Sequence, residues 1–231
     1  MDTGINRLGI SHNEIFKIKK NKMIDIKLIM SHFASSNEKN NKYNDKQLKI
    51  FLNISNKYFN KKIQSINNSA GLVLKKKIQY DLARPGIALY GGHNNTSLKN
   101  KIKPVTKVKA EILQIKKIKK NEFVGYNQTY YSKKNITIAI IGIGYADGIS
   151  RLLSNKGHAY FKKQKFKIIG RISMDTITID ISNYSKHLKP GMFVDIINYQ
   201  YDIEKMAENC NTISNEILTS ISSRVKRVYI N

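Results

Sequence analysis

A second cysteine is missing from the chain: Cys210 stands alone among 231 residues. No internal disulfide can form and no cysteine knuckle can hold a metal, which points to a reducing compartment and leaves Cys210 as a small buried residue. No apolar run approaches the roughly 18 residues that cross a bilayer. The opening Met1-Asp2-Thr3-Gly4 has neither the basic nor the apolar stretch of a secretory leader, so a cytoplasmic protein with no membrane partner is expected. Acidic residues are scarce, 16 against 41 Lys and Arg, giving a net charge of +25. Such a balance invites a nucleic-acid partner, because clustered cations release phosphate counterions. Arginine is scarce too, however, at six of the 41, and the lysines are spread along an Asn- and Ile-rich chain. Runs such as Lys75-Lys76-Lys77 and Lys116 to Lys120 read as solvated charge, so no nucleic acid is expected. The chain also lacks an internal repeat.

What is present is ordinary for a globular chain, with 41% hydrophobic and 25% charged residues, and its length suits two domains. The first hundred residues alternate between apolar and helical stretches, the pattern of β/α units around a parallel sheet. Leu28 to Phe33 reads as a buried strand. Asn44 to Asn60 reads as a helix, with apolar residues at Leu48, Phe51, Leu52 and Ile54 or Tyr58, capped by Asn44 or Asp45. Ile63 to Ile66 reads as a strand, Ala70 to Lys77 as a short helix, and Asp81 to Tyr90 as a return to the sheet. After a polar linker at Asn94-Asn95-Thr96-Ser97 the texture becomes β-branched. Strands are expected over Val105–Ile115, Asn135–Ile143, Phe166–Ile172, Thr176–Ile181, Met192–Ile197 and Val225–Ile230. Short helices are expected over Ile203–Cys210 and Ser214–Ser220, the latter capped by Ser214 or Asn215.

The most unusual string is Gly142-Ile143-Gly144-Tyr145-Ala146-Asp147-Gly148, a tyrosine between glycines just after a strong apolar strand. Alone it reads as a tight turn with a structural tyrosine. Others accompany it in order: Asp2-Thr3-Gly4-Ile5-Asn6-Arg7-Leu8-Gly9, Ser31-His32-Phe33-Ala34 and Asn68-Ser69-Ala70 precede it, as does Arg84-Pro85-Gly86-Ile87-Ala88-Leu89-Tyr90-Gly91. Gly170-Arg171-Ile172-Ser173-Met174-Asp175 follows. Together these resemble the successive motifs of the alanine racemases, which use pyridoxal 5′-phosphate (PLP), and the resemblance runs from Asp2 to about Tyr229.

The resemblance implies an α/β plus β fold: the later half of a (β/α)8 barrel over residues 1–98, then the family's β-rich C-terminal domain over 99–231. It implies interconversion of L- and D-alanine, which supplies D-alanine for peptidoglycan, and no metal. It also implies a head-to-tail homodimer in which the barrel of one subunit and the β domain of the other build each active site. Removing an alanine α-proton at neutral pH needs an electron sink, which PLP provides, and racemisation needs a base on each face. By resemblance, one base is a Schiff-base lysine and the other is Tyr145. Free tyrosine ionises only near pH 10, so a tyrosine base needs neighbouring cations or hydrogen bonds. Arg84 is implied to donate to the pyridine nitrogen and His32 to bridge Arg84 towards Tyr145. A guanidinium only donates, so that ring nitrogen would stay unprotonated. Asn68, Ser69, Gly86 and Ile87 are implied to hold the phosphate, and Arg7 and the Met174 backbone N–H the substrate carboxylate. Asp175 is implied to orient the Met174 loop.

The chain departs from the family pattern in three places. No lysine has the family's Lys-Ala-Asn-Ala-Tyr-Gly-His type of setting, and the first β/α units are missing. Met1 stands where the family pattern is already under way, as from a late start codon, a split gene or a fragmentary record. The stretch from Ile221 to Arg227 occupies the place where some members have a tyrosine touching the phosphate. The expectation is a chain inactive alone, completed by a complementing N-terminal chain. The other readings are a serine-directed racemase, a non-catalytic remnant or interaction module with an open barrel edge, and a basic nucleic-acid-binding protein.

Overall fold

The computed structural model describes residues 1–74, 80–93, 96–99 and 101–230. The Lys75–Lys77 run, the end of the helix expected from Ala70, and Asn94-Asn95 of the expected linker lie outside them. The chain divides into two compact units, Met1–Lys103 and Pro104–Asn231.

In the first unit, α1 (His12–Lys20) opens where the Ser11 N–H and hydroxyl both donate to Glu14, at 2.8 and 2.6 Å. The Glu14 carboxylate thus satisfies the Ser11 N–H, a donor that a helix start leaves unpaired. β1 (Leu28–Met30), α2 (Lys42–Phe59) and β2 (Ile63–Ser65) then form a βαβ unit, with β1 and β2 parallel and Leu28 opposite Ile63. The α2 cap is Asn41, which accepts the Tyr43 N–H at 2.9 Å, and not Asn44 or Asp45. The Asn44 amide is buried and committed to the preceding loop, donating to the Ser35 and Glu38 carbonyls at 3.1 Å. Asn41, on the solvent side of the start, is left to cap. Phe33, Phe51, Ile54, Phe59, Ile66 and Leu74 form the core between helix and sheet.

The strand expected over Asp81–Tyr90 does not form. Residues 81–86 run beside β2 without a ladder, and Ile87–Tyr90 is a 3-10 helix. The Leu82 and Arg84 N–H groups donate to Gln64 and Asn67 carbonyls at 3.2 and 2.9 Å. The next N–H on that side, Gly86's, goes to the Ser69 hydroxyl instead, and no ladder continues. The helix expected from Ala70 is likewise a 3-10 turn, Ala70–Val73.

The second unit is built on a six-stranded antiparallel sheet. Its members are β3 (Val108–Ile118), β6 (Ile136–Ile141), β7 (His158–Phe161), β8 (Gln164–Lys167), β9 (Ile177–Asp180) and β10 (Phe193–Ile197), after the small hairpin β4 (Phe123–Val124) and β5 (Tyr130–Tyr131). The order is β8-β7-β10-β3-β6-β9. Ile168, just past β8, bridges Ile179 of β9, so the first and last strands meet. Inward isoleucines fill the interior, among them Ile112, Ile141, Ile168, Ile177 and Ile179. β9 keeps the alternation its sequence shows, Ile177 and Ile179 in, Thr178 and Asp180 towards the surface. α3 (Ile203–Asn209) is capped by Asp202, and α4 (Ser214–Ser220) starts after Ile213, so neither Ser214 nor Asn215 is its cap. Val225–Ile230 is not a strand, and Val228, Tyr229 and Ile230 lie exposed.

Phe51 is 0% exposed and meets Tyr80 edge to face at 5.4 Å. Phe51→Ala is expected to destabilise the first unit by about 3–5 kcal/mol through lost transfer energy and the cavity left behind, read as a lower urea midpoint by circular dichroism.

Candidate functional site

In the first unit the sequence-predicted residues gather where β1 and β2 end. Arg84 reaches across both strand ends: one guanidinium nitrogen donates to the Ser65 hydroxyl, the other to the Ser31 carbonyl at 2.5 Å. Burial draws its pKa down from the ordinary value, and these two acceptors hold the group in place. The Ser31 hydroxyl shares a hydrogen bond with Thr3 at 2.7 Å, and Gln47 of α2 donates to Thr3 and to the His32 carbonyl while accepting the Ala34 N–H. The strand end that carries His32 is thus braced by a buried amide whose donors and acceptor are all used. Thr3, Ser31, Gln47 and Ser65 carried no signal as single residues; what sets them apart is a run of small polar residues at the ends of apolar strands.

The His32 tautomer follows from its neighbour. The Asn68 carbonyl oxygen accepts the Gly71 N–H and the Ser36 hydroxyl, both at 2.8 Å, which fixes the amide so that its nitrogen faces His32 Nε2 at 3.1 Å. Asn68 therefore donates, Nε2 accepts, and the neutral ring carries its proton on Nδ1. Burial first, then the charges of Arg84 and Arg7, hold the His32 pKa below its ordinary value. His32 takes its hydrogen bond from Asn68, while Arg84 is engaged by the two serine positions.

Arg7, His32 and Arg84 line a common cavity of about 850 Å³, walled otherwise mostly by apolar groups such as Ile15, Ile29 and Phe59. Beside it, the Ser69 hydroxyl accepts the Gly86 and Ala88 N–H groups at 3.0 and 3.2 Å. The Gly86 amide is therefore spent on Ser69, which ties the two predicted phosphate segments together. Space opens over Gly86, where an added Cβ would meet nothing within 4 Å. Ile87 is buried beneath.

Tyr145 and Met174 belong to the second unit. Tyr145 begins a 3-10 turn, Tyr145–Asp147, and is 42% exposed; Met174 is exposed as well. Their loops touch through the backbone: Tyr145 N–H donates to Ser173 and Ala146 N–H to Met174, at 3.1 and 3.0 Å. Gly144 permits that approach, because a Cβ there would strike the Ser173 and Met174 carbonyls. The Arg151 guanidinium lies 5.9 Å from the Tyr145 ring centroid, within cation–π range. Arg151 was not singled out from sequence although it lies only six residues from Tyr145, and Arg224, which pairs with Asp147 and Asp175, has partners remote in the chain. Among the described residues no group of three or more His, Cys, Asp or Glu could hold a metal.

A histidine pKa below the ordinary 6.5 means that, beneath pH 6.5, the unfolded chain binds a proton the folded chain resists. His32 thus favours folding fully above pH 6.5, and the contribution is lost as the pH falls through the folded value. NMR titration of the His32 ring is expected to give a midpoint below 6.5, and His32→Gln to flatten that part of the stability profile. Gly144→Ala is expected to force the Tyr145 and Met174 loops apart and cost several kcal/mol, of the order of other overpacked sites at about 1–3 or more, read as a lowered urea midpoint for the second unit.

Residues 1–94 match the family model described as the alanine racemase N-terminal domain, and residues 105–229 match the alanine racemase C-terminal domain. The alanine racemase of Brucella abortus is 39% identical over 247 residues, covering 99% of this chain and 62% of the relative. That of Rickettsia akari is 41% identical over 234 residues, covering 99% and 64%. Among solved structures, the alanine racemase of Bartonella henselae with covalently bound pyridoxal phosphate superposes with a TM-score of 0.91 at 39% identity, covering all of this chain and 65% of that one. The chain spans less than two thirds of the length of these relatives. With both domain models matched in order and the fold shared with the solved relatives, the chain belongs to the alanine racemase family.

Proposed function

We propose that this chain forms the later part of an alanine racemase, binding PLP at the strand ends of its first unit and presenting a proton-transfer tyrosine from its second. The observation that carries the reading is Arg84, fixed by the Ser31 carbonyl and the Ser65 hydroxyl beside a neutral His32. Two of its five N–H donors are committed, and the rest suit an acceptor such as a pyridine nitrogen. The donor chemistry fits PLP: Asn68, Ser69 and the Ile87 backbone would hold the phosphate, with the open face of Gly86 leaving room. When bound, the group supplies the electron sink for loss of the α-proton.

This chain's own residues then bind, orient and move protons. Arg84 orients the pyridine ring and, being always charged, donates without giving up a proton. His32, neutral beside Arg84 and held at Nε2 by Asn68, would turn its Nδ1–H towards the phenol oxygen. Tyr145 Oη takes the α-proton of L-alanine, while Arg7 and the Met174 N–H hold the carboxylate. Residues 1–98 are read as the later half of a (β/α)8 barrel and 99–231 as the β domain. The site is completed across a dimer, or by a complementing chain that brings the lysine for the second face. The product, D-alanine, would serve peptidoglycan. Among the described residues no helix is long and apolar enough to cross a membrane.

Racemisation by the purified 231-residue chain with added PLP is expected not to exceed the PLP-only background. Mixed with the N-terminal portion of the Rickettsia akari relative that this chain does not span, it is expected to turn over. Tyr145→Phe should then lower kcat by about 10² to 10⁴, the range for a general base. Turnover by the chain alone would refute the need for a second base from outside it. A folded mixture whose activity ignored Tyr145→Phe would overturn the tyrosine's role.

A further inference from the structure

Three segments of the second unit converge on the turn that carries Tyr145: the turn itself, the Ser173–Thr176 loop and the stretch from Ser220 to Arg227. The first two are joined by the backbone pairs of Tyr145 and Ala146. The third reaches the turn through Ser222 N–H, which donates to the Asp147 carbonyl at 3.2 Å, and the Ser220 hydroxyl, which donates to the Gly148 carbonyl at 3.1 Å. Gly148, at φ +104°, keeps this contact possible, since a Cβ there would meet the Ser220 backbone.

One side chain spans all three. Arg224 donates through Nη2 to Asp175 Oδ1 at 2.7 Å and sets Nε 3.4 Å from Asp147 Oδ1. The other Asp147 oxygen accepts the Gly144 N–H at 2.8 Å. An exposed ion pair between two flexible side chains contributes little. Here Asp147 is nearly buried and its carboxylate is already fixed to the backbone at the residue before Tyr145. Asp175, in turn, directly follows Met174. A planar guanidinium can face both carboxylates at once, where an ammonium offers only a point charge.

We propose that Arg224 is a positioning residue that sets the spacing between the Tyr145 turn and the Met174 loop. The functional meaning of that spacing rests on the racemase reading; the clamp itself does not. It also gives a role to the stretch where the family resemblance implied a phosphate-touching tyrosine in some members.

The test uses the full 231-residue chain labelled with 3-fluorotyrosine, the Tyr145 ¹⁹F line being assigned by its loss in Tyr145→Phe. Arg224→Ala is expected to shift and broaden that line, and to speed amide exchange at Tyr145, Ala146 and Ser222 about tenfold, the scale of one lost charged hydrogen bond. The thermal midpoint should move little. Arg224→Lys should restore the line only in part, and Asp175→Asn should move it in the same direction as Arg224→Ala. An unchanged line and unchanged exchange in folded Arg224→Ala would overturn the proposal. Should that variant not fold, an unchanged line in both Arg224→Lys and Asp175→Asn would overturn it equally. These readouts require neither cofactor nor turnover, so a failed clamp and a failed racemase reading are told apart.

Discussion

No side chain can stand at Gly144. The Ser173 and Met174 carbonyls occupy the space a Cβ would need, and from that closeness follows the layout of the second unit around Tyr145. The neighbouring amides of Tyr145 and Ala146 donate to those carbonyls, the Asp147 carboxylate folds back onto the Gly144 amide, and the phenol is left facing outward. A loop held by its backbone on one side and by a carboxylate on the other has few conformations left. The tyrosine is presented by this framework, with the Arg151 guanidinium over its ring.

The first unit solves the opposite problem, holding a cation in place. Arg84 spans two strand ends, and the acceptors that hold it are a carbonyl of β1's continuation and a hydroxyl of β2. Parallel strands place their ends side by side, so one long side chain can engage both. Gln47, reaching in from α2, uses its whole amide to keep the β1 end from fraying. Charge, hydroxyl and amide are therefore arranged by the βαβ unit before any ligand is considered.

Much of this was legible from the residues, and the rest was hidden for identifiable reasons. The strand expected over Thr176–Ile181 declares itself because inward isoleucines repeat every second residue, at Ile177 and Ile179, whereas the one expected over Phe166–Ile172 is observed as Gln164–Lys167. Helix starts are less legible, since Asn41, Asn44 and Asp45 are all good caps and only the loop fold decides which amide is free to serve. The Asp81–Tyr90 stretch is apolar enough for a strand, yet the Gly86 N–H goes to the Ser69 hydroxyl, and the chain tightens into a turn. Val225–Ile230 has strand composition without a strand. Of the site, the ordered motifs marked His32, Arg84, Tyr145 and Met174. The residues that hold them, Ser31, Ser65, Gln47 and Arg224, act through partners distant in the chain, and spacing carries no trace of such pairs.

The meeting of Ile168 with Ile179 has a bearing on solubility. An isoleucine-rich sheet with open margins would offer rows of unsatisfied peptide groups to any similar chain, the usual start of edge-to-edge aggregation. The bridge between Ile168 and Ile179 brings the two edges together at one point. The lysines on β8, at Lys165 and Lys167, add like-charge repulsion at the very seam where a stray strand would otherwise dock.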